Sequence, residues 1–193
     1  MDFKEIYKKL TAKKCAFIAI FFWATAFVLT KVVLKEVDAT SVGVLRYFFS
    51  SIIVIFILIK QKISLPALKD IPAFIFAGFS GYAGYIAFFN MATLLSSPST
   101  LSVINALAPA ITAIVAYFIF NERIKLIGWF SMGISFCGIL ILTLWDGVLT
   151  VNKGILYMLA GCLLLSLYNI SQRYLTKKYS SFDVSMYSML IGG

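Results

Sequence analysis

Six apolar runs dominate the sequence, near Cys15–Leu34, Ser41–Ile59, Ile71–Leu94, Leu101–Phe120, Leu126–Trp145 and Gly154–Ile170. At a helical rise of about 1.5 Å per residue, each can cross a hydrocarbon core about 30 Å thick. A seventh run begins around Val184. None alternates with a period of two, which argues against barrel strands. With no water in the bilayer to satisfy backbone N–H and C=O groups, helices are the remaining solution. Composition agrees: 61% of the 193 residues are apolar and 13% charged, against about 25% charged in a soluble domain. There is too little polar surface to cover a globule in water, so the expected fold class is an all-α polytopic membrane protein.

The formal charge of +9 does not point to nucleic acid, because the cations sit in short segments between apolar runs and form no single stripe. Lys4, Lys8, Lys9, Lys13 and Lys14 precede the first run. Lys60, Lys62 and Lys69 follow the second, Arg123 and Lys125 the fourth, and Arg173, Lys177 and Lys178 the sixth. The alternate connections hold only Lys35 and Lys153. Thirteen cations against two predict a cytoplasmic N-terminus in a multi-pass protein of the cell membrane. Within residues 1–14, Phe3, Ile6, Tyr7 and Leu10 fall at helical spacing with lysines opposite. That pattern suits a short interfacial helix on the anionic inner leaflet, or a frayed basic tail. Ala24-Thr25-Ala26 mimics a signal cleavage site, but the apolar run continues to Val33, which argues against cleavage there.

Several chemistries lack their residues. Histidine is absent, and Cys15, Cys137 and Cys162 are scattered without C-x-x-C spacing, so they read as small hydrophobes and no metal or cofactor is expected. No P-loop pattern is present, in keeping with no ATP hydrolysis by this chain. An intramembrane enzyme needs a dyad, metal ligands or an acidic cluster at depth, and no acidic residue lies deep in the six runs. No catalytic residue is assigned.

A faint repeat relates the sixth run to the first. An offset of 142 residues places Arg173 on Lys31, Asn169 on Phe27 and Leu165 on Trp23. In both runs a cation closes the helix and a Ser/Asp-containing turn leads onward. A unit of five spans is odd, so a second unit enters from the opposite side, the inverted-repeat plan of many secondary transporters. On that plan residues 1–14 are a basic cytoplasmic segment, 15–145 a first five-helix unit, and 154–193 the start of an inverted second unit. The sequence ends within an apolar segment at Ile191-Gly192-Gly193, so a fragment of a ten-span protein is expected, truncated to six spans and the start of a seventh.

The stretch from Asn90 to Leu142 resembles the EamA domain of the drug/metabolite transporter superfamily. The resemblance is carried by Ser96-Ser97-Pro98-Ser99-Thr100, Asn105-Ala106-Leu107-Ala108-Pro109, Asn121-Glu122-Arg123, and Gly128, Gly133 and Gly138. Trp23, Phe27 and Lys31 of the first span and Arg46-Tyr47 of the second also fit. Asn121 stands where the family usually has Gly, which should alter only the turn. The resemblance implies ten spans in two inverted five-helix repeats and secondary transport of a small organic metabolite, most often export of amino acids or related compounds. A non-transporting subunit that packs on partner helices is the other reading, and a homodimer is compatible with either.

Charges within lipid are costly, which singles out Lys31 and Arg46, near the outer ends of the first two spans. They would attract a substrate carboxylate or phosphate, or else snorkel to headgroups or pair with Glu36 and Asp38. Trp23 and Phe27 share a helix face and with Tyr82 and Tyr85 could line a cavity. Asn90 and Asn105 are amides in apolar spans that need a partner, either a helix or a substrate. Tyr168 and Asn169, on Ala26 and Phe27 under the offset, are weaker cavity candidates. Gly78, Gly81 and Gly84 recur every third residue and suit close helix packing or a bendable gating helix. Pro109 frees a carbonyl and permits a hinge. Glu122 and Arg123 suggest a structural clamp at the cytoplasmic end.

Overall fold

The computed structural model describes residues 12–61, 63, 65–121, 125–145 and 153–193. The N-terminal interfacial pattern, Glu122 and Arg123 lie outside the described residues. Every regular element described is helical: α1 (Ala12–Val33), α2 (Ala39–Lys60), a 3₁₀ turn (Leu68–Asp70), α3 (Ile71–Gly78), a π-helical turn (Phe79–Ala83), α4 (Gly84–Leu95), α5 (Pro98–Asn105), α6 (Ala108–Phe120), α7 (Leu126–Trp145), α8 (Lys153–Leu175) and α9 (Ser181–Gly192).

Five stretches are long and apolar enough to cross a membrane: Lys14–Val33, Ala39–Lys60, Leu68–Leu95, Pro98–Phe120 and Lys153–Leu175. Helix α7 is a further apolar helix of 20 residues. Phe17, Phe22, Phe49, Phe56 and Phe130 are exposed along these helices, an apolar surface that only lipid can cover. The chain is a polytopic helical membrane protein. The sixth span runs five residues beyond the Ile170 expected from hydropathy, to Leu175. Its polar end stays helical because Gln172 bonds inward to Ser185 Oγ at 3.2 Å and Arg173 lies over the Phe120 ring at 5.2 Å.

Helix α4 packs along α8, α6 along α8, and α3 along α9. The connections at 34–38 and 96–97 lie at one end of the bundle, here called distal; those at 65–67 and 176–180 lie at the other, proximal end. One apolar core gathers Phe27, Tyr85, Phe89, Leu101, Met158 and Cys162; a second gathers Phe74, Ala77, Leu175, Val184 and Tyr187.

The 142-residue offset recurs in the backbone. Helix α1 ends at Val33 and α2 begins at Ala39, while α8 ends at Leu175 and α9 begins at Ser181. Five hydrogen bonds repeat across the two turns: Leu34 N to Thr30 O, Lys35 N to Val32 O, Glu36 and Val37 N to Val33 O, and Val42 N to Asp38 O correspond to Thr176 N to Gln172 O, Lys177 N to Tyr174 O, Lys178 and Tyr179 N to Leu175 O, and Val184 N to Ser180 O. Asp38 caps α2 by accepting from the Thr40 and Ser41 amides, and Ser180 caps α9 by accepting from Asp183 N, satisfying orphan donors of each first turn.

The fourth span is broken where Pro109 stands. Ala106 N and Leu107 N bond back to Val103 O and Ile104 O in tightened turns before α6 resumes at Ala108, because proline offers no N–H and its ring crowds the carbonyl four residues earlier. At its far end Asn121 adopts φ 52°. That left-handed cap is where a family Gly is usual, and Asn is the next residue to tolerate it.

Glycines bring the third span against α8 and α9. A Cβ on Gly78 would lie 2.6 Å from the Ser188 carbonyl oxygen and 2.7 Å from Gly192 N. One on Gly81 would overlap the Tyr168 ring, and one on Gly84 would reach Leu164 Cδ1 at 2.9 Å. Gly133 on α7 has nothing within 4 Å of such an atom. Gly78→Ala should therefore lower stability by about 1–3 kcal/mol through backbone overlap. Gly133→Ala should be neutral or stabilising by about 0.5–1 kcal/mol, both read as melting temperatures in detergent.

Candidate functional site

Between α1, the broken fourth span and α8 lies a cleft of about 1130 Å³. Its lining descends from Pro98 and Ser99 at the distal end to Thr112 and Asn169, past the helix midpoints. One wall is apolar, made by Ile20, Trp23, Phe27 and Val28. The other is polar. There Asn169 Nδ2 donates to Thr112 Oγ1 at 3.4 Å, and Thr112 Oγ1 lies 3.0 Å from Ser166 Oγ. Cys162 Sγ is 3.7 Å from Asn105 Oδ1. The Pro109 break sits in this wall, so the kink shapes the cleft directly. Two pairs related by the 142-residue offset face the same space, Trp23 with Leu165 and Phe27 with Asn169.

The expected site residues divide into four groups, Lys31 standing by itself. Trp23, Phe27 and Asn105 line the cleft, as does Pro109. Tyr85 lies beside Trp23, its ring stacked on Phe89 at 5.9 Å. Arg46 and Asn90 lie on the same side, and Asn90 Nδ2 donates to the Ala39 carbonyl at 2.8 Å. Tyr82 is placed elsewhere. It meets the Tyr168 hydroxyl at 3.0 Å and donates to the Ser185 carbonyl at 3.3 Å. Gln172 Nε2 also donates to Tyr168 Oη, so this network ties the third span to α8 and α9. Trp23, Phe27, Tyr82 and Tyr85 therefore do not share one surface.

Lys31 neither snorkels freely nor pairs with Glu36 or Asp38. Its ammonium donates to the carbonyls of Thr93 at 2.5 Å, Leu94 at 3.2 Å and Ser96 at 3.1 Å. A cation on carbonyls at and just past the C-terminus of α4 meets the negative end of the helix dipole. Gly78, Gly81 and Gly84 lie on the packing seam with α8 and α9 and do not line the cleft.

Sequence reasoning missed Ser102, Thr112 and Ser166, small hydroxyls spread over two spans whose convergence depends on the Pro109 bend. It also missed Asp70. At the proximal end Lys178 Nζ pairs with Asp70 Oδ1 at 2.7 Å, and the Tyr179 hydroxyl donates to Asp70 Oδ2 at 2.8 Å. Ala67 N donates in turn to Tyr179 Oη at 3.1 Å. The third span is thus latched to the turn after α8. The Asp70 carboxylate beside it holds the Lys178 ammonium above its ordinary 10.5. A raised lysine pKa stabilises the fold fully below the ordinary value, and the contribution is lost as pH climbs through the elevated one. Melting temperature should accordingly fall above about pH 10.5 in the native protein. Asp70→Asn should melt lower at neutral pH and lose that alkaline step.

A bundle of apolar helices long enough to cross a bilayer, gathered around a cleft, defines a polytopic membrane protein. Residues 12–144 match the EamA-like transporter family, and the chain belongs to it. It is 28% identical over 158 residues to YdfC of Bacillus subtilis (strain 168), described as an uncharacterized transporter. That match covers 81% of this chain and 52% of the relative, so the chain spans about half the length of the curated relative it matches. No solved structure matches significantly.

Proposed function

We propose that the polypeptide is a secondary transporter that moves a small organic metabolite through the cleft by alternating access, in the cell membrane with its N-terminus in the cytoplasm. Residues 15–145 form the first five-helix unit and 154–193 begin a second of opposite orientation. What carries the reading is the lining of the cleft, to which α1 and α8 contribute residues at positions related by the 142-residue offset. A site shared by two opposed units is the arrangement in which rocking one against the other exposes it to each side in turn.

In this arrangement Trp23 and Phe27 receive the apolar part of the solute, while Asn105, Thr112 and Asn169 meet its polar groups. The Asp70–Lys178–Tyr179 latch holds the proximal, cytoplasmic end shut while the cleft reaches the distal end. Export, and amino acids as cargo, are what the family resemblance implies most often. The Pro109 break gives the fourth span a bend at cleft level, and the Gly78–Gly81–Gly84 face gives the third span a thin surface on which α8 and α9 can slide.

The test is solute flux in proteoliposomes of the complete polypeptide. Flux of a defined set of metabolites is expected, with Trp23→Ala and Asn105→Ala each raising KM about tenfold through lost contacts in the bound state. An absence of flux across a broad panel, with and without a proton gradient, overturns the proposal.

A further inference from the structure

The polar wall of the cleft carries more hydrogen-bonding groups than the described helices use, and none of them is charged. Ser99, Ser102 and Asn105 follow one another at three-residue spacing along α5, which puts them on one face. All three line the cleft, as do Thr112 on α6 and Asn169 on α8. At the rise of a helix, the row from Ser102 to Thr112 is about 15 Å long. Asn105 Oδ1 receives only the long contact from Cys162 Sγ at 3.7 Å, and its Nδ2 has no partner among the described residues. Asn169 is the complement. Its Nδ2 reaches Thr112 Oγ1 at 3.4 Å, and its Oδ1 has no partner among the described residues. The Pro109 break adds backbone groups. The Ala106 amide bonds back to Ser102 and Val103 and the Leu107 amide to Ile104, and helical bonding resumes from Ile111 to Leu107. Between these two patterns, the carbonyls of Asn105 and Ala106 accept no hydrogen bond among the described residues. Proline accounts for the first, since Pro109 has no N–H to return to Asn105.

Every described residue that lines the cleft is uncharged. Lys31, one turn beyond Phe27 on α1, directs its ammonium to the Thr93, Leu94 and Ser96 carbonyls and is not part of the lining. A carboxylate or an ammonium brought to this depth gives up its hydration and meets no opposite charge on these walls, which is unfavourable. A neutral group that both donates and accepts loses nothing by comparison. It can donate to the Asn105 and Ala106 carbonyls or to Asn169 Oδ1, and accept from Asn105 Nδ2. We propose that the cleft selects an uncharged solute. Its apolar body lies against Trp23 and Phe27, and several hydroxyl or carboxamide groups lie along the row from Ser102 to Thr112. The inference rests on the cleft being the place where the solute binds, and it narrows the cargo. Carboxylates, phosphates and amines are discriminated against, and so is the zwitterion of a free amino acid, whose two charges would both lack a partner.

A set of phenyl β-glycosides of one shape tests this on the complete polypeptide: the uncharged glucoside, the glucuronide with its carboxylate, and the 6-amino-6-deoxyglucoside with an ammonium in the same place. Binding is read first, without flux, as the rise in melting temperature with ligand concentration in detergent. The glucoside should raise it, and both charged analogues should bind about tenfold more weakly or worse. Asn105→Asp puts a carboxylate into the row and should bring the ammonium analogue at least level with the glucoside. Asn169→Ala should weaken the glucoside about threefold to tenfold. Uptake of the same compounds into proteoliposomes follows. No stabilisation by the glucoside at millimolar concentration, or a charged analogue bound as tightly by the native protein, overturns the inference whether or not flux is found. Flux confined to charged solutes overturns it and leaves the transport reading intact. Binding of the glucoside in preference to its charged analogues, with no flux of any solute, supports the inference and overturns the transport reading.

Discussion

The close approach of the third span to α8 and α9 is the contact on which the rest of the structure depends. In a bilayer, lipid tails are as apolar as Leu, so helices gain little by burying apolar side chains against one another. Attraction then comes from dispersion and hydrogen bonding at short range, and glycine is what permits short range. At Gly78 the opposing surface is backbone, the Ser188 carbonyl and Gly192. Because the seam is this thin, the Tyr82 hydroxyl meets Tyr168 and Ser185, and Asp70 meets Lys178 and Tyr179. A π-turn at Phe79–Ala83 lies in the middle of the seam, as such turns often do at working sites.

The absence of water at this depth shapes the smaller interactions too. Ser80, Thr93, Thr112, Ser166 and Ser171 return their hydroxyls to carbonyls of the preceding turn, which spares each an unmade hydrogen bond. Lys31 places its charge on carbonyls at and just past the end of α4.

The spans were legible because each apolar run is long and bounded by lysines, and the offset of 142 residues was legible because a cation and a short polar turn end both related helices. Asn121 was readable as a turn residue, and its left-handed conformation follows from that. The end of the sixth span was not readable, since Asn169, Gln172 and Arg173 look like a boundary until their partners on other helices are known. Nor was the separation of Tyr82 from Tyr85. Three residues apart, they share a face on a regular helix, but a π-turn carries extra residues per turn and that periodicity fails across it. Lys31 was recognised as a costly charge, yet its target, a row of carbonyls, leaves no mark in side-chain pattern. Thr112 and Ser166 were invisible for a similar reason, because single hydroxyls in apolar spans carry no signal until the Pro109 bend brings them together.

The account's central claim is that one cleft between opposed units opens to each side of the membrane in turn, with the Asp70 latch holding the proximal side shut. Labelling a single cysteine in the cleft tests it most directly. Asn105→Cys is placed in a background lacking Cys15, Cys137 and Cys162 and exposed to a membrane-impermeant thiol reagent from either face. Reaction chiefly from outside is predicted, shifting toward the cytoplasmic face when Asp70→Asn releases the latch. Equal labelling from both faces, unmoved by the Asp70 substitution, would contradict the account.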